Sequence, residues 1–310
     1  MAEPTVLITG ACGLLGAHLM IALGRDREVV GVDRHPWWGD ESRHIIQGDL
    51  ESPEFLRRLA TDVHPGIVIH CAAMTTVDAC ELDPERAEAS NAGVTRELIR
   101  AMPPTCRMVY ISTDGVFQGD RPFWGEDDPP IPCTAYGRSK LHGEHVVAQA
   151  TTNHLVIRTN FYGWSSGRKR TMGEWLYRSL KTHEPITLFD DVFFTPIYVV
   201  DLVERLIRLL APPHQGIVHI DGAERLSKYA FGMLLADVAG VPADGVRRGT
   251  VEDAALVASR PKDTSLACKR FERLTGIPVP GSRMGLGRFI ADCGRPLSAR
   301  FEQVESLRNG

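Results

Sequence analysis

Short apolar runs alternate with amphipathic segments along the first half of the chain. The runs are rich in β-branched residues, which is typical of buried strands, and the segments between them carry apolar residues at helical spacing. The predicted strands cover 5–8, 28–32, 66–70, 107–112 and 154–159, and the predicted helices cover 14–23, 84–102 and 136–150. This alternation is typical of βαβ units, so we predict an α/β fold, a doubly wound parallel sheet with helices on both faces.

Glycines follow the first predicted strand at a regular spacing. Gly10, Gly13 and Gly16 form the pattern GxxGxxG between that strand and a helix that begins near Leu14. In dinucleotide-binding proteins such glycines allow a tight turn, close approach of the backbone to the pyrophosphate, and close packing of helix on strand. The phosphates then lie at the positive end of the helix. The motif in this context predicts a Rossmann-type dinucleotide site rather than an incidental turn.

Acidic residues after the next strands bear on the choice of cofactor. Asp33 ends the second strand, where a carboxylate accepts hydrogen bonds from the adenosine ribose hydroxyls, as in NAD-binding proteins. Arg34 follows directly, and it can pair with the 2′-phosphate of NADP or lie in solvent. Asp49 can meet the adenine amino group or be an ordinary loop residue. We therefore predict NAD or NADP as the cofactor, with a preference for NAD.

The second half of the chain has a more mixed pattern. Helices are predicted over 201–210 and 227–239, with a short strand over 216–220. Pro and Gly are frequent in the rest of this half, which favours a smaller region that covers the substrate and is built from segments that leave and rejoin the sheet. We therefore divide the chain into an NAD(P)-binding Rossmann domain over 1–160 and a mainly substrate-binding C-terminal region over 161–310.

Composition and charge exclude several kinds of partner. The chain has 310 residues, a net charge of −4 and no long basic run, which gives no support to a nucleic-acid or membrane-surface role. It begins without a basic segment before its first apolar run, and no apolar run approaches the ~20 residues of a membrane span, so we expect neither a signal peptide nor a membrane anchor. The 7 cysteines are scattered, without a CxxC pair, which indicates a reducing compartment, the cytoplasm.

A tyrosine and a lysine share one face of a predicted helix. Tyr136 and Lys140 are four positions apart, the spacing that brings two side chains together. An isolated tyrosine, with a pKa of ~10, exchanges protons poorly at neutral pH, whereas a neighbouring ammonium favours the phenolate and lowers that pKa. The pair follows a strand that ends in Ser112, Thr113 and Asp114. This order along the chain, rather than the spacing alone, makes the pattern an indication of function.

The sequence resembles the extended short-chain dehydrogenase/reductase superfamily in four features that follow one another in the same order. These are the glycine motif, Asn91, the polar strand end and the Tyr-Lys pair. The similarity is greatest to the dTDP-4-dehydrorhamnose reductases and extends over roughly residues 4 to 275. The similar segments, in the same order as in that family, are HCAAMTTVDACE (70–81), STDGVFQG (112–119), YGRSKLHGE (136–144), RTNFYGW (158–164), LFDDVFFTPIYVVDLVE (188–204) and ASRPKDTSLACKRF (258–271).

The resemblance implies a nucleotide-sugar ketoreductase that acts on a 6-deoxy-4-ketohexose attached to a nucleoside diphosphate. Tyr136 would donate a proton to the developing alkoxide, Thr113 would hydrogen-bond the same oxygen, and Lys140 would tune Tyr136 and bind ribose. The cofactor-binding residues that the glycine motif and the resemblance imply are Gly10, Gly13, Leu14, Leu15, Gly16, Asp33, Arg34, Asp49, Leu50, Cys71, Ala72, Ala73, Tyr136 and Lys140.

The substrate contacts implied by the resemblance are Thr75, Thr113, Asp114, Tyr136, Trp164 and Arg260. Trp164 would stack on the hexose ring or pack in the interior, and Arg260 would bind the diphosphate, for which a planar guanidinium is suited. Asn91 would order a proton-relay water or lie on a wet helix face. Residues 168–170, a basic cluster, would face phosphates or lie in a solvated loop.

Four residues in three places depart from the family pattern. Gly115 stands where the reductases usually carry tyrosine, Phe193 and Phe194 where a polar segment is usual, and Ile197 where threonine is common. We expect all of these near the sugar, where they predict a different sugar, nucleotide or product stereochemistry without affecting hydride transfer.

Other functions remain open at this point. An epimerase with retained NAD fits the same residues, and so does a non-enzymatic cofactor-binding regulatory subunit like the methionine adenosyltransferase β subunit. Dehydration is disfavoured because Asp114 is followed by glycine rather than by a second acid. No metal site is expected, since His142 and His145 lack the HExxH spacing. Extended members of the superfamily pair through the helices equivalent to 84–102 and 136–150, which implies a homodimer.

Overall fold

Apolar, β-branched runs form the central sheet of the protein. The structure, a computed structural model, describes residues 3–151, 153–166, 170–211 and 214–301. The seven strands are all parallel, in the order β11-β6-β5-β4-β1-β2-β3. They are β1 (Val6–Thr9), β2 (Val29–Asp33), β3 (Ile45–Gln47), β4 (Ile67–His70), β5 (Arg107–Ile111), β6 (His154–Arg158) and β11 (Gly216–His219). The predicted α/β fold of the Rossmann type is confirmed.

Helices cover both faces of this sheet. They are α1 (Leu14–Leu23), α2 (Pro53–Val63), α3 (Val77–Leu82), α4 (Pro84–Glu88), α5 (Val94–Ala101), α6 (Ala135–Ala150), α7 (Met172–Lys181), α8 (Val199–Arg208), α9 (Lys228–Ala239), α10 (Lys269–Thr275) and α11 (Ser282–Ala291). Every residue of α1 after Leu14 is buried, which fits an apolar helix enclosed on several sides. Sequence analysis missed α2, although Ser52 caps it and Pro53 occupies its first turn.

Alternate residues of the strands supply two cores. Val6 and Ile8 of β1 pack into the cluster that includes α1 and α8, and Leu7 packs into the cluster that includes α2 and α5. This alternation follows from the two-residue period of a strand. Because both faces are covered, the strands are mostly apolar, and their polar residues stand mainly at the ends, such as Thr9, His70 and Arg158 at carboxyl ends, where they are buried.

The second half of the chain both returns to the sheet and builds a separate layer. Strand β11 pairs with β6 at the sheet edge, and α8 packs on α1. The remaining strands form three small sheets, β7 (Phe161–Tyr162) with β10 (Ile197–Tyr198), β9 (Phe193–Phe194) with β12 (Leu226–Ser227), and β8 (Ile186–Phe189) with β13 (Val246–Gly249). Segments that leave and rejoin the sheet are therefore present, and the division near residue 160 stays a proposal.

The described part of the chain contains no helix long and apolar enough to cross a membrane. The seven cysteines carry free thiols. Among the described residues, no group of three or more His, Cys, Asp or Glu side chains is arranged to hold a metal ion.

Candidate active site

A cleft of about 1030 Å³ opens at the carboxyl ends of the parallel strands. In a doubly wound sheet this edge is where ligands bind. Nearly all of the predicted site residues line this one cleft: Gly10, Gly13, Leu14, Leu15, Gly16, Asp33, Arg34, Asp49, Leu50, Cys71, Ala72, Ala73, Thr75, Thr113, Asp114, Tyr136, Lys140 and Arg260. The exception is Trp164.

The glycine turn after β1 is shaped to admit a phosphate. Gly10 has a φ of +65°, and a Cβ there would lie 2.8 Å from the backbone nitrogen of Ala72. A Cβ on Gly16 would lie 2.2 Å from the carbonyl oxygen of Gly10, so α1 packs directly on the turn. Gly13 is the N-cap of α1 and gives the first helical N–H groups no side-chain acceptor. A pyrophosphate fits that unfilled position, because it supplies acceptors at the positive helix end.

Replacing Gly13 with alanine should weaken cofactor binding without unfolding the protein. The new Cβ would lie 3.1 Å from the Gly10 oxygen and would project from an exposed residue of the cleft. We expect the cofactor Kd to rise about tenfold, equivalent to ~1.4 kcal/mol, when measured by titration calorimetry. Gly287→Ala in α11 is the matched control, since a Cβ there meets no atom within 4 Å and the residue is outside the cleft. Equal Kd values for Gly13→Ala and wild type would contradict the phosphate assignment.

Asp33 and Arg34, the two groups that we expect to select between NAD and NADP, both line the cleft. The Asp33 carboxylate is held in place because it accepts hydrogen bonds from the backbone nitrogens of Cys12 and His35, each at 2.9 Å. The Arg34 side chain is exposed at the same place, and its carbonyl accepts from Gln47 at 2.9 Å. Two lone-pair sites of the Asp33 carboxylate are left to accept hydrogen bonds from ribose hydroxyls. The Arg34 guanidinium is left to pair with a phosphate.

Tyr136 and Thr113 meet at the centre of the cleft. Tyr136 lies in the first turn of α6, which Thr134 caps by accepting from Gly137 N at 3.0 Å. The Thr113 side chain is close enough to lower the pKa of Tyr136, but burial outweighs this effect and raises that pKa above its usual range. We predicted that Lys140 lowers this pKa; that prediction is wrong for the protein alone, because desolvation is the largest influence and keeps the phenol protonated.

Lys140 is buried beneath the cleft on the same helix. Its ammonium lies 4.0 Å from the centre of the Tyr110 ring. Desolvation lowers the pKa of Lys140 to about 7, although Glu144 acts in the opposite direction. A lysine with such a pKa gains and loses its proton near neutral pH, which suits a group that participates in proton transfer.

Asp114 joins three segments of chain behind the Tyr-Thr pair. Its Oδ2 accepts hydrogen bonds from Asn160 Nδ2 at 2.7 Å and from Thr264 Oγ1 at 2.6 Å, and its Oδ1 accepts from Thr113 Oγ1 at 3.0 Å. Asn160 and Thr264 also line the cleft, and sequence analysis missed both. Asn160 follows β6 and was therefore detectable as a polar residue beyond a strand end. Thr264 lies in an irregular segment that offers no such signal.

Asn91 braces the loop after β4. The predicted helix over 84–102 widens into a π-helical turn at Ala89–Gly93, and Asn91 within it is buried. Its Nδ2 donates to the Met74 carbonyl at 3.1 Å and to Ser139 Oγ at 2.8 Å, and its Oδ1 accepts from Met74 N at 2.8 Å. The wet-face alternative is therefore wrong, and Asn91 links the cleft-lining loop to α6.

Trp164 does not reach the cleft. Its indole stacks on Phe289 at 4.4 Å between ring centres, and its N–H donates to the Phe289 carbonyl at 2.6 Å. The buried aromatic area and the satisfied N–H favour this interior position, so the expected contact with a hexose ring is corrected.

Arg260 does line the cleft, where it donates to Asp78 and to the Ala258 carbonyl, each at 2.8 Å. Arg168 and Lys169 lie outside the described residues, and Arg170 lines the cleft.

The departures from the family pattern do not all face the sugar end. Gly115 lines the cleft, and a Cβ there would meet only Thr113, at 3.4 Å. Phe193, Phe194 and Ile197 are not among the lining residues, contrary to expectation. Phe194 and Ile197 belong to the core, and the Phe193 ring lies under the Arg225 guanidinium at 3.6 Å. Phe193, Phe194 and Ile197 therefore affect the shape of the cleft only indirectly, by the way they position neighbouring side chains.

Comparison with known proteins agrees with this geometry. Residues 4–295 match the model of the RmlD substrate binding domain. A relative from Streptomyces antibioticus named "Probable dTDP-4,6-dihydroxy-2-methyloxan-3-one 4-ketoreductase" is 35% identical over 242 residues, 74% of this chain and 77% of its own. Methionine adenosyltransferase 2 subunit beta of Rattus norvegicus is 29% identical over 291 residues, 87% of this chain and 82% of its own.

A solved structure extends the similarity to three dimensions. The dTDP-4-dehydrorhamnose reductase of Bacillus anthracis, in complex with NADP, superposes with a TM-score of 0.84 at 29% identity and covers 94% of this chain and 99% of its own. The family resemblance inferred from the motifs is thus confirmed over nearly the whole length. The chain belongs to the RmlD substrate-binding-domain family.

Proposed function

We propose that the protein reduces the keto group of a nucleotide-activated 6-deoxyhexose, with NADH or NADPH as reductant and Tyr136 as the proton donor. The observation that carries the proposal is that Tyr136 and Thr113 lie together in the same cleft as the glycine turn. Relatives named as nucleotide-sugar ketoreductases and a solved neighbour that binds NADP support reduction of a sugar-nucleotide ketone as the general activity.

Each residue has a definite task in this reaction. A dinucleotide held by its pyrophosphate at the glycine turn would supply the hydride from its nicotinamide. Tyr136, which is protonated at neutral pH like any phenol and stays so because burial raises its pKa further, gives its proton to the alkoxide oxygen that forms on the sugar. Thr113, whose proton goes to Asp114 Oδ1 in the protein alone, would turn it to the same sugar oxygen and so orient the carbonyl. Lys140, whose pKa is about 7, would bind the ribose and adjust the proton affinity of Tyr136 from the same helix.

The direct test is oxidation of reduced cofactor. Purified protein at catalytic concentration is incubated with NADH or NADPH and a panel of nucleotide-linked 4-ketosugars, and the absorbance of reduced nicotinamide is followed. We expect consumption with at least one sugar. Conversion of a nucleotide sugar without net cofactor consumption would indicate the epimerase instead. Cofactor binding without any turnover, together with a stoichiometric enzyme partner in a pull-down, would indicate a regulatory subunit, as the similarity to the adenosyltransferase subunit allows.

A side chain at position 115 should narrow the sugar end of the cleft. A Cβ on Gly115 is accommodated, so Gly115→Tyr should fold while its ring occupies space next to Thr113. We expect KM for the preferred ketosugar to rise about tenfold, at an unchanged cofactor Kd, since ~1–3 kcal/mol is typical for a change in pocket shape. Steady-state kinetics and cofactor titration measure the two quantities. An unchanged KM would place the sugar away from Gly115.

The implied homodimer through α4, α5 and α6 also remains a proposal, which sedimentation of the purified chain tests.

A further inference from the structure

A lysine that sequence analysis did not single out lies at the Asp114 end of the cleft. Lys228 is the first residue of α9 and follows β12 directly. Its backbone nitrogen donates to the Val192 carbonyl at 3.0 Å, and the preceding Ser227 caps the helix by accepting from Ala230 N at 3.0 Å. Its place in the fold is therefore fixed by backbone contacts.

The Lys228 ammonium faces the cleft without a hydrogen-bond acceptor among the described residues. It lies 3.1 Å from the centre of the Phe194 ring, and the residue lines the cleft. Desolvation lowers the pKa of Lys228 to about 8, and the charges of Asp114 and Asp221 act on it in the opposite direction. Asp221 is fully buried and accepts from Asn160 N and Thr195 Oγ1, so Asp114 is the carboxyl group that shares the cleft with Lys228.

Stability alone does not account for a lysine at this position. The half-buried ammonium has no hydrogen-bond acceptor among the described residues, and it lies at the positive end of a helix. Contact with the Phe194 ring offsets only part of this cost. An uncharged side chain of similar length would be more stable here, which points to a ligand group that pairs with the ammonium.

Asp114 limits what that ligand group can be. Its carboxylate accepts three hydrogen bonds from side chains, which leaves one of about four lone-pair sites free. An anionic ligand group would be repelled by this carboxylate, and a methyl group would leave both charges unpaired. A hydroxyl group satisfies both, because its oxygen accepts from an ammonium and its proton is donated to a carboxylate.

We propose that Lys228 and Asp114 together recognise one hydroxyl group of the sugar and so determine which deoxysugars the enzyme accepts. The inference rests on the proposed function and deepens it by naming the substrate class, ketosugars that retain a hydroxyl at the position facing Lys228. It also explains how Phe194, a departure from the family pattern, affects the cleft from the core, since its ring supports the ammonium.

The test compares Lys228→Met with wild type on pairs of nucleotide-linked ketosugars that differ by a single hydroxyl. For one pair, we expect kcat/KM for the hydroxylated member to fall about ten- to a hundredfold, and kcat/KM for the deoxy member to change less than about twofold. Cofactor Kd should be unchanged, and Tm should be unchanged or higher. Lys269→Met is the matched control, because Lys269 is the first residue of α10, is exposed, and is outside the cleft.

Two outcomes would overturn the proposal. Equal losses on both members of every pair, or no loss on any, would show that Lys228 does not recognise a hydroxyl. A lowered Tm with a general loss of activity would show a structural role. If the wild-type protein oxidises cofactor with none of the ketosugars, the proposed function itself fails, and this inference fails with it. If the wild type is active, the kcat/KM values of Lys228→Met test this inference separately.

Discussion

Tyr136→Phe is expected to lower kcat by two to four orders of magnitude while the cofactor Kd stays within about twofold of wild type. The change removes one hydroxyl and keeps the ring that packs in the cleft. Burial keeps this phenol protonated at neutral pH, so wild-type Tyr136 holds the proton that the forming alkoxide requires. Without the Tyr136 hydroxyl, water or Thr113 has to protonate the alkoxide oxygen, and neither of them replaces Tyr136 as a positioned proton donor.

Steady-state kinetics and calorimetric titration of the cofactor measure these two quantities. Tyr229→Phe is the control, since Tyr229 lies outside the cleft, where its ring contacts Arg248 at 4.6 Å. Near-normal turnover of Tyr136→Phe would refute the assigned proton donor. A large rise in cofactor Kd would mean that the residue serves mainly to bind.

Glu144→Gln is expected to destabilise the folded protein by about 3–5 kcal/mol, because it leaves a buried guanidinium unpaired. Arg158 at the end of β6 donates to Glu144 on α6 through Nε at 2.9 Å and Nη2 at 2.6 Å, and these side chains are only 1% and 3% exposed. Ser112 at the end of β5 donates to the same carboxylate. This network attaches α6, which carries Tyr136 and Lys140, to the sheet.

The free energy of unfolding from urea titration is the measurement. The double variant Glu144→Leu with Arg158→Met should recover most of the loss, since an apolar pair removes both charges together. Glu97→Gln, which breaks the exposed pair of Glu97 with Arg100 on α5, is the control and should change the free energy by about 0–1 kcal/mol. A loss below about 1 kcal/mol for Glu144→Gln would mean that water reaches Arg158.

The cofactor half of the site was predictable because its signals are local. Gly10, Gly13 and Gly16 are needed where one strand meets one helix, and Asp33 ends the neighbouring strand. Tyr136 and Lys140 lie on one helix at a spacing that determines their shared face. Their pKa values were not predictable, since they depend on burial by distant segments, which raised the pKa of Tyr136 and lowered that of Lys140.

The sugar half was much less predictable. Trp164 was a reasonable candidate for stacking, yet Phe289, far along the chain, places it in the core. The wet-face alternative for Asn91 failed because a π-helical turn points it inward. Thr264 and Lys228 lie in irregular or short elements, where neither helical nor strand periodicity indicates which side chains face a cleft.

By itself the sequence determined the order of strands and helices, the glycine turn, and the polar end of β5, because each depends on residues close together in the chain. Only the tertiary structure decided what surrounds Asp114, where Asn160, Thr264 and Lys228 converge from three separate segments. The polar residues Ser112, Thr113 and Asp114 at the end of a predicted strand were recognisable from the sequence as candidate site residues. The residues that line the cleft around Asp114 follow from long-range packing that no local pattern encodes.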